Sequence, residues 1–114
     1  MDLIQFYKCL ADDTRLKSIL LIQQESELCV CELTHALDQS QPKISRHLAL
    51  LRQHKLVVIR RQGQWIYYQI NPQLPDWAQQ ILSLSLANNA ESIKEEVTRL
   101  AEMSCRPDSD SSCK

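Results

Sequence analysis

Glycine and phenylalanine each occur once in this chain of 114 residues, and proline four times. So little glycine and proline excludes collagen-like, low-complexity and turn-rich all-β chains. No apolar run reaches the 18 residues that would suggest a membrane-spanning helix. The opening segment MDLIQFYKCLADD has no basic stretch leading into an apolar one, so no secretion signal is read there and the cytoplasm is the expected compartment. Neither a C-x-x-C pair nor a glycine-rich phosphate loop is present. A hydrophobic fraction of 44% with 24% charge is enough for one packed domain and excludes wholesale disorder. Five cysteines make an odd number, too few for a disulfide scaffold. In a reducing compartment they stay thiols and must be core filler, reactive groups or metal ligands.

A net charge of −1 argues by itself against nucleic acid, but its distribution reverses that reading. Residues 39–75 contain Lys43, Arg46, Arg52, Lys55, Arg60 and Arg61 and no acidic residue, whereas the rest of the chain carries 7 basic and 14 acidic residues. A segregated basic block is the footprint of a phosphate-facing surface, although a charge run alone more often describes a solvated face.

The periodicity predicts a first helix over residues 3–11, with Leu3, Ile4, Tyr7 and Leu10 on one face. Asp12, Asp13 and Thr14 are cap candidates for a second helix that turns Leu16, Ile19 and Leu20 inward. After a polar break at residues 25–27, a short third helix spans residues 30–37 and is interrupted at Asp38-Gln39. A fourth begins at Ser40 as N-cap with Pro42 in its first turn, buries Ile44, Leu48 and Leu51, and shows Lys43, Arg46, His47 and Arg52 on its other face. LVVIRR and QWIYYQI read as two strands joined at Gln62-Gly63, with the single glycine where a tight turn needs positive φ. Trp65, Tyr67 and Tyr68 read as strand packing. A long helix over residues 76–104 is then expected, about 40 Å in length at 1.5 Å per residue. On it Leu86, Ala90, Ile93, Val97 and Leu100 form a seam for a partner helix. A small domain cannot cover such a helix, so the expectation is a homodimer through the first and last helices, with Cys9 in the interface. Residues 1–104 make the folded domain and 105–114 a polar, mobile, cysteine-containing tail.

A short helix, a tight polar break, a capped basic helix and a basic hairpin make a winged helix-turn-helix: mainly α, with a β-hairpin wing. The fourth helix is then the one for the major groove of operator DNA. Ser40, Gln41, Lys43, Ser45, Arg46 and His47 offer donors and acceptors to base edges and phosphates, and Arg60, Arg61, Gln62 and Gln64 flank the wing tip. LADDTRLKSILLI, ELCVCELTHALDQSQPKISRHLALLRQHKL and RRQGQWIYYQI together resemble the ArsR/SmtB family of bacterial metal-sensing repressors, from about Leu3 to Leu100. CVCEL followed by ALDQSQPKISRHLALLR resembles its arsenical-responsive members. The resemblance implies a homodimeric repressor that leaves DNA when a trivalent metalloid binds, whether arsenite, antimonite or methylarsenite, with no permanent cofactor.

Cys29 and Cys31 pose a geometric problem, because positions i and i+2 of an intact helix lie about 200° apart. They converge on one ion only if the segment is non-helical or unwinds at its first turn. Soft thiolates select soft ions, and a helix N-terminus favours the thiolate. In arsenical repressors a third cysteine often follows three residues after the pair, and here that position is Thr34. The site then recruits Cys105 or Cys113 from the tail, or stays a two-thiolate site completed by a small thiol or water, which would favour an organoarsenical whose carbon already fills one position. His35 reads as an ordinary surface histidine, and the absence of histidine from the last 60 residues disfavours a zinc sensor built on the final helix. The alternatives within the same fold are a thiol redox switch, or a soft divalent ion (Cd, Pb or Zn) as inducer. An enzyme with Cys31 as nucleophile and His35 as base lacks an oxyanion donor and leaves the basic block unexplained, so no enzymatic activity is read.

Overall fold

A computed structural model describes residues 1–103. Helix α1 (Leu3–Leu10) is capped by Asp2, and α2 (Asp13–Glu25) by Asp12, whose carboxylate accepts the Arg15 N–H at 3.0 Å. Strand β1 (Leu28–Cys29) leads directly into α3 (Val30–Leu37), which a tight turn connects to α4 (Gln41–Gln53). Strands β2 (Val57–Gln62) and β3 (Trp65–Ile70) form the hairpin, followed by α5 (Asp76–Asn88), a 3-10 turn (Ala90–Ile93) and α6 (Lys94–Glu102). The sheet is antiparallel in the order β1-β3-β2.

The helix-turn-helix is closed by a backbone device at each helix end. At the end of α3, Asp38 takes φ 54° and the Gln39 N–H reaches back to the Thr34 carbonyl at 3.2 Å. At the end of α4, Lys55 takes φ 64° and the Leu56 N–H bonds the Leu51 carbonyl at 3.0 Å. Both are Schellman-type closures with a residue other than glycine in the left-handed position, a strain of about 1 kcal/mol each. In the wing, Gln62 pairs with Trp65, so Gly63 and Gln64 form a two-residue loop. Gly63 has φ 60° and Gln64 is not among the positive-φ residues, the pattern of a type II′ turn.

The core gathers Ile19, Leu21 and Ile22 of α2, Leu33 and Ala36 of α3, Ile44, Leu48 and Leu51 of α4, and Leu56 at the start of the wing, all inaccessible to solvent. Four expectations are corrected. The sheet has a third strand, β1, too short to show a period in the sequence. The helix expected over 76–104 is broken at Asn89, and α5 extends only about 20 Å. There the side-chain amides of Asn88 and Asn89 bond back to the Leu84 and Ser85 carbonyls, at 2.9 and 3.0 Å. The seam consequently turns inward: Ile93 and Leu100 are buried in the chain's own core, Leu86 and Val97 pack partly against it, and Ala90 is exposed. In α1 the buried residues are Phe6, Cys9 and Leu10, while Leu3, Ile4 and Tyr7 face outward. Cys9 therefore belongs to the chain's own core. Periodicity defined a face of α1 but could not rank its two apolar sides. Phe6, edge-on to Trp77 at 5.2 Å, decides which one turns inward. The tail cysteines Cys105 and Cys113 lie outside the described residues.

Candidate sensor and nucleic-acid interface

The junction of β1 and α3 brings the two thiols together. Cys29 is both the last residue of β1, paired with Tyr67, and the N-cap of α3, with extended backbone at φ −91°, ψ 170°. Cys31 already lies in the first helical turn. The change of backbone between them turns both side chains to one side, and the Sγ atoms lie 2.8 Å apart. The convergence needs no unwinding, because the pair straddles a strand-helix boundary. Two sulfurs bound to one ion at about 2.3 Å each stand roughly 3.5 Å apart, so a ligand would spread this pair only slightly.

Glu32 completes the junction, and sequence reasoning passed over it. Its carboxylate accepts the Cys29 N–H at 2.9 Å, and its own N–H faces the Cys29 sulfur, a capping box with cysteine in the position usual for serine or threonine. The C-x-x-E spacing ahead of an apolar run is the signal that could have found it. Burial pushes the Cys29 thiol far up from its ordinary range, and its hydrogen bond with Cys31 adds to the rise. The Glu32 N–H acts the other way and is outweighed. Burial therefore outweighs the helix start at Cys29, against the expectation that a helix N-terminus favours the thiolate.

The thiols open onto a cavity of about 290 Å³. Beside the two cysteines it is lined by Val30 and Thr34 of α3, Gln41 of α4, and Gln64, Trp65 and Ile66 of the wing. Gln41 begins α4 and Gln64 is the wing tip, so the cavity lies between the two elements expected to meet DNA. Thr34, at the position of the missing third cysteine, donates its hydroxyl to the Cys31 carbonyl at 2.9 Å. His35 is exposed, and among the described residues no three His, Cys, Asp or Glu side chains gather to hold a metal ion.

Along α4, Ser40, Gln41, Lys43 and Arg46 are exposed and Ser45 is half-buried. The Ser40 side chain makes no capping bond. His47 turns away from this face toward the start of α2, with its Nδ1 3.3 Å from an Arg15 nitrogen and 3.9 Å from the Asp12 carboxylate. Burial holds its pKa below the ordinary value, against the pull of Asp12. On the wing, Arg61, Gln62 and Gln64 are exposed at the tip. Arg60 is set apart from Arg61 and Gln64: its guanidinium pairs with Glu27 at 2.6 and 2.9 Å, donates to Gln62 Oε1 at 2.7 Å and lies 4.6 Å above the Tyr67 ring. Glu27 also accepts from Gln69 at 3.0 Å, and Arg60 above all holds its carboxyl below the usual range. Arg60 and Glu27 thus join the wing to the loop before β1. The polar break at residues 25–27 gave no sign of this, because the partners are far apart in sequence.

Comparison with known proteins bears on the whole arrangement. Residues 12–57 match the model of the bacterial regulatory protein, arsR family. The chain is 53% identical over 107 residues to the arsenic resistance transcriptional regulator ArsR1 of Pseudomonas putida, covering 94% of this chain and 84% of that one. It is 48% identical over 110 residues to the arsenical resistance operon repressor of Escherichia coli, covering 96% and 94%. Among solved structures, HlyU from Vibrio cholerae superposes with a TM-score of 0.67 at 28% identity, over 76% of this chain and 90% of that one. Sequence, helix-turn-helix and wing agree, and the chain belongs to the ArsR family of bacterial transcriptional regulators.

Proposed function

We propose that this protein is a homodimeric operator-DNA repressor that is released when a trivalent metalloid, arsenite or antimonite among them, bonds to Cys29 and Cys31. The observation that carries this reading is the shared cavity: both thiols, the first residue of α4 and the tip of the wing border one space. Gln41, Lys43, Ser45 and Arg46, with Ser40 at the helix entry, meet the major groove, and Arg61, Gln62 and Gln64 meet the flanking backbone. His47 and Arg60 position these elements, one against α2 and the other against Glu27. Bonding at Cys29 takes over the sulfur lone pair that faces the Glu32 N–H and spreads the thiols, so the first turn of α3 is reshaped beside α4. DNA and metalloid then oppose each other, and each weakens the other by the same factor. For an inorganic metalloid the third position keeps hydroxide or passes to Cys105 or Cys113.

The dimer is supported by the exposed apolar side chains of α1 and α5, Leu3, Ile4 and Tyr7 on one and Trp77 and Leu84 on the other. Phe6 against Trp77 joins the two helices into one face. That face fits a second copy, which would double the DNA contacts and set two half-sites about one helical turn apart.

The test is the fluorescence anisotropy of a labelled operator fragment, titrated with arsenite, antimonite, Zn²⁺ and peroxide. Wild type, Cys29→Ser, Cys31→Ser and the Cys105→Ser/Cys113→Ser pair are compared. Release by trivalent metalloids that either Cys29→Ser or Cys31→Ser abolishes supports the reading. Release by peroxide alone would make the thiols a redox switch, and a wild-type response from both single variants would move the inducer site elsewhere.

A further inference from the structure

The cavity at the thiols is larger and more apolar than an inorganic hydroxide ligand requires. Its volume is about 290 Å³, and Val30, Trp65 and Ile66 line it next to Cys29 and Cys31. Thr34, the residue best placed to act as a third ligand, has its hydroxyl engaged by the Cys31 carbonyl. Two sulfurs and an apolar wall match a different ligand: one whose arsenic offers two exchangeable positions and carries carbon on the third. Resting on the function proposed above, we propose that this cavity is a subsite for the organic substituent of a monosubstituted trivalent organoarsenical, with Trp65 as its specificity-determining wall.

The bonding step balances without any further reagent. In R–As(OH)₂ two As–O bonds break and two As–S bonds form, to Cys29 and Cys31. Each thiol proton leaves on the displaced hydroxide, giving two waters. Arsenic stays trivalent, nothing is oxidised or reduced, and the As–C bond is untouched. The departing hydroxides accept the thiol protons, so both cysteines can react as thiols. The substituent R then lies along the Trp65 indole and Ile66, and the ligand spans from α3 to the wing with no third protein thiol.

The experiment is operator release by arsenite, methylarsenite and phenylarsine oxide, read by anisotropy on the full chain, on Cys29→Ser, and on Trp65→Ala and Trp65→Phe. The quantity of interest is the ratio of half-release concentrations, arsenite over phenylarsine oxide. Covering a phenyl group predicts that Trp65→Ala lowers this ratio about tenfold, with Trp65→Phe close to wild type and methylarsenite in between. An unchanged ratio in Trp65→Ala overturns the subsite while leaving the thiol site standing. Undiminished release of Cys29→Ser by arsenite overturns the thiol site itself. Should Trp65→Ala fail to fold, Trp77→Phe leaves Trp65 as the single indole. Its emission should then respond more to phenylarsine oxide than to arsenite at saturation, and equal responses would count against the subsite.

Discussion

The two helices of the helix-turn-helix start in opposite ways. Helix α3 begins closed: Cys29 is held in a sheet rung with Tyr67, its N–H lies on the Glu32 carboxylate, and its sulfur faces the Glu32 N–H. Helix α4 begins open: the Ser40 side chain makes no capping bond, Pro42 removes one donor, and Gln41 and Lys43 are exposed. Orphan N–H groups at a helix start attract anions, so the open start suits phosphate. The closed start satisfies itself and has to be opened by something that competes for sulfur. The same structural position, the beginning of a helix, thus serves sensing when capped by a thiol and reading when left to solvent.

The contrast is broken most completely at Cys29. Serine is a good N-cap, so Cys29→Ser should keep α3 folded, within about 1 kcal/mol by urea unfolding. It should nonetheless raise the arsenite concentration for half-release at least 100-fold, because the ligand is lost and the cap is not. At the open start, Lys43→Ala with Arg46→Ala should weaken operator binding strongly. The log–log salt slope should flatten by about 3.6 for the dimer if each side chain of each protomer neutralises one phosphate. An unaltered slope would place both residues off the DNA.

Smaller effects sharpen the comparison. Glu32→Ala removes the reciprocal half of the box from a residue that is only 1% exposed, and should cost about 1–2 kcal/mol in urea unfolding. Acid should loosen the docking of α4 on α2 through His47. Burial depresses the imidazole pKa in the folded state, so its contribution is fully present above the unfolded value of 6.5 and is lost as pH falls below it. The urea midpoint should drop between pH 7 and 5.5, and His47→Gln should flatten that drop. Ser40→Ala should change stability by less than about 0.5 kcal/mol, since no capping bond is removed. A larger loss would mean that the start of α4 is not open in solution.

What the sequence made legible was whatever depends on neighbours along the chain. Pro42, the basic face of α4, the single glycine in a turn at φ 60° and the pairing of Cys29 with Cys31 were read from short spacings. The pair even implied that the segment could not be one intact helix, and a strand-helix boundary is the form this takes. Hidden features depend on long-range partners. The β1 strand exists only because Tyr67 and Tyr68 lie opposite it. The outward face of α1 follows from Phe6 meeting Trp77. The break at Asn89 follows from Ile93 and Leu100 finding a core already waiting. Trp65 was read as strand packing, whereas its place beside the thiols emerges only once the wing has folded back over α3.

Helix α3 is also secured at its far end, where the Arg99 guanidinium of α6 donates to the Ala36 carbonyl at 2.6 Å. A rigid rod of eight residues, pinned at one end and loaded at the other, is a lever with its fulcrum near Ala36. A displacement of a few tenths of an ångström at the thiols is then delivered as rotation to whatever rests against the loaded end. In this fold that is the entry of α4 and the end of the wing at Gln64, Trp65 and Ile66.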